Sequence, residues 1–455
     1  MIATTKPTAS LPPTVPGMPI VGSAFQFVSH NSVSVDFLQQ AQREYGDLVQ
    51  FKAMKRSFCL VSDPELIREV LLERAQEFVK PEAVFQDTRG LARFLGHGIL
   101  TAGYDEWRPQ RKLIQPLMQH GQIAHYAETM TAMGDKLVAG WQPGEQRNIH
   151  ADMTQVTMWI IAEAIFGIAV ERSAQFEQIV NDAQKIIVDD LASPAPAWLT
   201  KRDQKAAQIN AQLTDLVNQF VAERRTTGTA GRSDLLSVLM EARDADGVGL
   251  SDELLRDNIL TMFFAGHETT ANTLTWAFYF LSQNPAVLQA LEHELDTVLT
   301  DGRLPTVEDL PNLPYTLMVI KETLRIQPTV AMLVRVATQD TTLGGYALKQ
   351  GTFVLISPYV LHHDERRWSQ PEVYDPARFD PETGVKLDKY GYMPFGAGPR
   401  ICIGNHFALM EAQLLLALIA SRYRLYLAPG ANVQPLHQVT TSPRSGLPMI
   451  VQRRD

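Results

Sequence analysis

Apolar residues recur with a 3.6-residue period through most of the chain, from residue 104 to about 326, and this pattern predicts a mainly helical body. Outside that stretch the period shortens. A helical pattern over 32–45 gives way to alternating runs at 48–52 and 58–61, and Asp63-Pro64 is placed to cap a further helix. Segments 335–356 and 425–451 return to β-branched runs broken by glycine turns. The fold class expected is mainly α with small β-sheets, an α+β arrangement. Pro7, Pro12, Pro13, Pro16 and Pro19 fix φ and remove N–H donors, so residues 1–20 read as an extended proline-rich lead-in along the surface. Residues 21–455 then form a single domain.

One predicted helix has an unusual centre. Ser251 is placed to cap it, Asp252 and Glu253 suit the positive end of its dipole, and Asn284-Pro285 stops it. At 1.5 Å per residue it spans about 50 Å, so it has to cross the core. Its flanks are apolar (Ile259, Leu260, Met262, Phe263, Phe264, then Leu274, Trp276, Ala277, Phe278), yet the middle reads Ala265-Gly266-His267-Glu268-Thr269-Thr270. A glycine there costs ~1 kcal/mol against alanine, and a buried carboxylate costs several more unless paired or hydrated. A glycine beside a threonine whose hydroxyl bonds the carbonyl one turn back is expected to open the helix and leave room for a small molecule or water. The plainer alternative is a kink with a satisfied glutamate. His267 reads as structural.

Composition narrows the class. The 455 residues are 45% hydrophobic and 20% charged, as in soluble globular proteins, and the formal charge of −9 argues against general nucleic-acid affinity. No export signal precedes the domain, and no window of about 18 apolar residues offers a transmembrane anchor. Cys59 and Cys402 lie too far apart in a chain of this size to suggest a disulfide framework, so a cytoplasmic location is expected.

Cys402 ends the run Phe395-Gly396-Ala397-Gly398-Pro399-Arg400-Ile401-Cys402, with Ile403-Gly404 and a long amphipathic stretch from Asn405 after it. The sulfur should therefore sit at a helix N-terminus, where the dipole, free N–H groups and Arg400 favour thiolate. The glycines let backbone fold tightly beneath a ligand. Without a second cysteine or clustered histidines nearby, zinc and iron–sulfur sites lack ligands, which leaves a single axial thiolate to haem iron as the metal reading.

These residues carry a family resemblance. The loop resembles the haem-binding signature of the cytochrome P-450 superfamily at every defined position of Phe-Gly-x-Gly-x-Arg-x-Cys-x-Gly, and Ala265 to Thr270 resembles its oxygen-activation motif. Glu322-Thr323-Leu324-Arg325 and Pro376-Ala377-Arg378-Phe379 resemble its Glu-x-x-Arg and Pro-x-Arg-Phe motifs. The resemblance implies haem b (iron protoporphyrin IX) held between the long central helix and the cysteine-loop helix, with Cys402 as metal ligand and Phe395 and Gly404 beside it. Trp107, Arg111, Arg335 and Arg400 would contact the propionates. Thr269 would hydrogen-bond dioxygen and Glu268 relay protons, while Glu322, Arg325 and Arg378 support the fold. Phe85, Phe94, Phe263, Phe264, Ala265, Val330, Met332 and Leu333 would line an apolar pocket for a fatty acid, terpenoid, carotenoid or steroid, to be hydroxylated or epoxidised. Electrons would come from a ferredoxin or flavodoxin with an NAD(P)H-dependent reductase, docked near Arg108, Lys112 and Arg400. The alternatives are a peroxide-driven peroxygenase or isomerase, and a non-catalytic haem sensor.

Overall fold

The computed structural model describes residues 10–29, 32–81, 90–167, 173–192, 202–386 and 388–454. The helices that frame the interior are α1 (Tyr104–Ile114), α2 (Ile149–Phe166), α3 (Ser173–Ala192), α4 (Asp252–Gln283), α5 (Pro314–Ile326) and α6 (Asn405–Arg422). Helix α4 is the one with the polar centre. The Ser251 side chain accepts from the Leu254 N–H at its start, and Asn284 Nδ2 donates to the Phe280 carbonyl (2.8 Å) where it stops. It packs on α2, α5 and α6 within one large apolar core.

The expected opening of α4 does not occur. The helix is continuous from Asp252 to Gln283, and Gly266 has a packing role instead: a Cβ there would come within 2.8 Å of Ile161 Cδ1 on α2. The glycine lets two buried helices approach closely.

The principal sheet holds β1 (Leu48–Ala53), β2 (Arg56–Val61), β3 (Phe78–Val79), β4 (Leu333–Ala337) and β5 (Phe353–Ile356), in the order β1-β2-β5-β4-β3. Only the β2–β5 pair is parallel. The lead-in joins its edge: Val15 N–H donates to Gln50 O, and Gln50 N–H to Pro13 O (2.8 Å each). Burial pushes the Cys59 thiol on β2 up to about 12, which makes it inert. A late hairpin, β6 (Pro435–His437) and β7 (Thr441–Pro443), sends its tip back to α4.

A knot of charges ties α5 to the loop after β5. Arg325 Nε and Nη2 each donate to Glu322 at 2.8 Å, Arg378 Nε lies 3.5 Å from Glu322, and the Asp375 N–H donates to the same carboxylate at 2.9 Å. Glu322 and Arg325 are both wholly buried. Taken alone, a pair at this spacing is usually solvated; here the Asp375 N–H adds a hydrogen bond to the carboxylate and Arg378 adds a second positive charge beside it. Among the described residues no helix is long and apolar enough to cross a membrane.

Candidate active site

The loop before α6 is shaped by its glycines. Gly396 and Gly398 hold φ of +72° and +71°, and a Cβ on Gly398 would collide with the Leu71 carbonyl. The loop closes through Cys402 N–H donating to Phe395 O (2.9 Å), and Gly404 is the N-cap of α6. The Gly404 N–H also donates to the Cys402 sulfur. Protein surrounds that sulfur on nearly every side, yet Cys402 is solvent-accessible, so it opens into an interior cleft rather than onto the outer surface. Burial pushes the thiol up, against the Gly404 N–H and the Arg111 charge. A coordinated metal ion would reverse that balance, because it deprotonates a ligating thiol outright.

On α4, Ala265 is exposed although the helix on either side of it is buried. This is the second interior opening. Thr269, one turn on, donates its hydroxyl to the Ala265 carbonyl at 2.8 Å. Glu268 accepts from Gln184 Nε2 on α3 (2.9 Å) and from the Thr440 hydroxyl at the β6–β7 tip. Asn272 Nδ2 donates to that hydroxyl (3.3 Å), and its Oδ1 meets His150 Nε2 (3.1 Å). His267 is buried with Nδ1 on the Phe263 carbonyl at 2.8 Å and Nε2 3.3 Å from the same Gln184 amide; burial lowers its pKa.

Helix α1 buttresses the cysteine loop. Arg111 Nη1 donates to Ile401 O (2.8 Å) and its Nε to Gln115 (3.0 Å), while the Arg400 guanidinium lies 4.4 Å from the Trp107 ring centroid and donates to Ala102 O (3.0 Å). Two expectations for Arg400 are corrected here. The cation acting on Cys402 is Arg111, and Arg400 faces inward on Trp107 rather than forming a surface charge for a partner. Arg108 and Lys112 are exposed.

Like charges gather behind Arg400. Burial lowers Arg335 to about 10; burial, Arg335 and Arg111 lower Arg400 to about 10; burial with both arginines drives Lys80 well below the usual lysine range. Arg400 Nη1 is buried without a hydrogen-bond partner, and among the described residues neither Arg335 nor Arg400 forms an ion pair. Such a group needs an anion from outside the chain. Lys80 gave no signal in the sequence, since it follows a two-residue strand.

Several expected lining residues sit elsewhere. Phe263 is wholly buried with its ring against Phe176 (4.2 Å) and Phe166, so it is core rather than cleft wall. Phe94 is 1% exposed in the same core, Phe264 is also buried, and Met332 packs with the Phe27–Phe51–Phe58 cluster under the sheet. Val330 and Leu333 are half-buried, and Leu333 Cδ1 comes within 3.7 Å of where a Cβ on Gly396 would stand, so it lies beside the cysteine loop. Phe85 falls outside the described residues.

The cytochrome P450 family model matches residues 12–447, and the chain belongs to that family. Cyclooctatin synthase of Streptomyces melanosporofaciens is 33% identical over 438 residues, covering 93% of this chain and 92% of that protein. Pentalenene oxygenase of Streptomyces avermitilis is 32% identical over 437 residues, 94% of each. The crystal structure of the cytochrome P450DA heme domain superposes with a TM-score of 0.89 at 26% identity, covering 98% of this chain and 99% of that one. The protein is accordingly a haem b monooxygenase of hydrophobic small molecules. The residues present fit that cofactor: a glycine-shaped cysteine loop opens inward, an alanine clears the facing helix, and a buried cation cluster with an orphaned Arg400 donor suits two carboxylates.

Proposed function

We propose that this enzyme hydroxylates or epoxidises a terpenoid, with Cys402 as the residue that would hold haem iron and Glu268 and Thr269 as its proton-handling pair. The substrate class is supported by the names of its relatives, which include pentalenene oxygenase and cyclooctat-9-en-7-ol 5-monooxygenase. The site assignment rests on one observation above the rest: Cys402 is accessible although enclosed, and Ala265 is accessible although it sits mid-helix in the core.

Haem, when bound, supplies dioxygen activation, with the thiolate's electron density favouring O–O cleavage. The chain supplies placement and protons. Arg335, Arg400 and Lys80 would hold the propionates, the arginines through planar paired donors. Trp107 stacks on Arg400 and Arg111 fixes the Ile401 carbonyl, so both position the loop, with Phe395 and Gly404 closing it around the sulfur. Thr269 has one hydroxyl proton, engaged by Ala265 O, so in this rotamer it offers lone pairs to the cleft, and a χ1 rotation frees the proton. Glu268 accepts on both oxygens, from Gln184 and Thr440, and a turn of its carboxylate off one partner would carry a proton toward Thr269. Val330, Leu333 and Ala265 supply apolar wall near the reacting centre.

Electrons would arrive from an acidic ferredoxin or flavodoxin served by an NAD(P)H-dependent reductase. Arg108 and Lys112 are exposed on α1, whose Arg111 touches the cysteine loop, so this helix links surface to sulfur. A cytoplasmic setting suits two free cysteines, and a single domain over 21–455 suits a principal sheet that pairs strands from both parts of the chain. The deciding experiment is an optical-shift screen of terpenoids against fatty acids and steroids, followed by turnover with an NAD(P)H-fed redox pair. Tight binding and coupled oxidation of a terpenoid support the reading. Turnover by peroxide alone, or a shift only with fatty acids, contradicts it.

A further inference from the structure

Glu268 lies where α3, α4 and the β6–β7 tip meet, and the atoms around it have one consistent set of donors and acceptors. A carboxylate only accepts, so the single hydroxyl proton of Thr440 points at Glu268. The Thr440 oxygen is then left as an acceptor, and Asn272 turns its amide nitrogen to it (3.3 Å) and its carbonyl oxygen to His150. His150 Nε2, 3.1 Å from that oxygen, has to carry the proton. Donation therefore runs in one direction from α2, through Asn272 on α4 and the hairpin tip, to Glu268.

The other carboxylate oxygen is held in the same way. The Phe263 carbonyl accepts from His267 Nδ1 (2.8 Å), so the neutral ring keeps a lone pair on Nε2. The two hydrogens of Gln184 Nε2 divide between that lone pair (3.3 Å) and Glu268 (2.9 Å). Burial lowers the pKa of both histidines, outweighing the Glu268 charge and the hydrogen bonds that favour the cations, so each ring is neutral at pH 7. The two tautomers are opposite: Nε2–H at His150 and Nδ1–H at His267.

The hairpin tip that supplies Thr440 is pinned on both sides of the cleft. Trp276 Nε1 donates to Thr441 O (3.1 Å), and the Thr441 N–H donates to Thr329 O (2.8 Å). Thr440 is 8% exposed and Asn272 is wholly buried, so neither has solvent to turn to.

A proton arriving on either oxygen of Glu268 meets a donor that cannot readily accept. For Thr440 to do so, the Asn272 amide must flip and His150 must change tautomer. For Gln184, the amide oxygen must turn onto the His267 lone pair. The charged carboxylate is thus gripped on both sides, while the neutral carboxyl loses one partner and is free to turn.

Resting on the reading of Glu268 as a proton-handling group, we infer that Thr440 is a positioning residue for the oxidation: its hydroxyl, aimed by Asn272 and His150, holds Glu268 while charged and releases it once protonated.

The test is nitrogen NMR of the holoenzyme labelled at its histidine nitrogens, as the diamagnetic reduced carbon monoxide adduct, with His150 assigned by its loss in His150→Gln. The unsubstituted protein should show His150 as Nε2–H and His267 as Nδ1–H. Thr440→Val keeps the shape but drops the hydroxyl, which frees the Asn272 amide and should turn the His150 signal into a mixture of tautomers; Thr440→Ser should restore the single form. In turnover with an NAD(P)H-fed redox pair and the tightest-binding terpenoid, Thr440→Val should divert several-fold more electrons to hydrogen peroxide at unchanged KM, and Thr440→Ser should reverse that diversion. His150 as Nδ1–H in the unsubstituted protein, or a single tautomer that survives Thr440→Val, overturns the inference. So does unchanged peroxide in Thr440→Val when Glu268→Gln raises it. Unchanged peroxide in Glu268→Gln removes the proton-handling reading itself, and the inference with it.

Discussion

Two groups of charge, one wholly buried around Glu322 and one half-buried around Arg400, differ in how their charges are matched. In the Glu322–Arg325–Arg378 knot the carboxylate is gripped by both nitrogens of Arg325 at 2.8 Å, by a backbone N–H and by a second arginine. Its negative charge is matched within the chain, although Arg378 Nε reaches the carboxylate only as an ion pair and makes no hydrogen bond. In the Lys80–Arg335–Arg400 cluster Arg335 disfavours charge on Arg400 and on Lys80, Arg400 disfavours it on Lys80, and Arg400 keeps a buried donor without a hydrogen-bond partner. A chain retains the first because it holds the fold, and the second only if something anionic arrives. The contrast separates scaffold from site without appeal to motifs.

The largest expected effect strikes the closed knot. Arg325→Ala leaves Glu322 buried beside a weaker partner and should cost about 3–5 kcal/mol, read as a fall in the urea midpoint and in recoverable holoprotein. Retention of wild-type stability would dissolve the distinction. Next comes a carboxyl that neither group serves. Glu411 on α6 is buried, and burial raises it to about 8, opposed by the Thr270 hydroxyl beside it. Its folded pKa lies above its ordinary value of 4.5, so the native state binds the extra proton between those values. The contribution to stability is full below pH 4.5 and is lost as pH climbs through about 8. Glu411→Gln should therefore flatten the decline in unfolding free energy across that window, measured by urea titration at several pH values.

The open cluster should respond in another observable. Arg335→Ala removes a cation that repels its neighbours, so chain stability should change little, but haem should leave faster by about ten- to a hundredfold, the loss of one charge-assisted hydrogen bond. Transfer of haem to an acceptor globin measures it. If Arg335→Ala instead destabilises the fold as Arg325→Ala does, the two groups are not different in kind. Gly266→Ala, away from both, should cost about 1–3 kcal/mol through overpacking against Ile161, with no change in the haem spectrum.

What the sequence made legible follows from distance along the chain. The ends of α4 were readable because a cap and its partner lie within four residues: Ser251 with Leu254, Asn284 with Phe280. The knot was readable because its core is an i, i+3 pair recognised by resemblance. Lys80, Gln184 and Thr440 were not readable, because a two-residue strand, α3 and a hairpin tip bring them in from far away with no periodicity to mark them. Apolar residues of α4 could be named but not assigned to faces, which is why Phe263 was expected at the cleft while Ala265 is what opens to it. The need for Gly266 is legible as an oddity in the helix but its cause is not, since the methyl of Ile161 that requires it lies on another helix.

The central claim is that Cys402 is the thiolate ligand of haem and that the chain around it is built for that role. The most direct measurement is the absorption of the reduced carbon monoxide adduct, for the wild-type protein and for Cys402→His. The wild type should show the red-shifted Soret band of thiolate ligation, and the variant should bind haem with the shorter-wavelength band of a globin. A globin-like band in the wild type, or a red-shifted band that survives the loss of this sulfur, would contradict it.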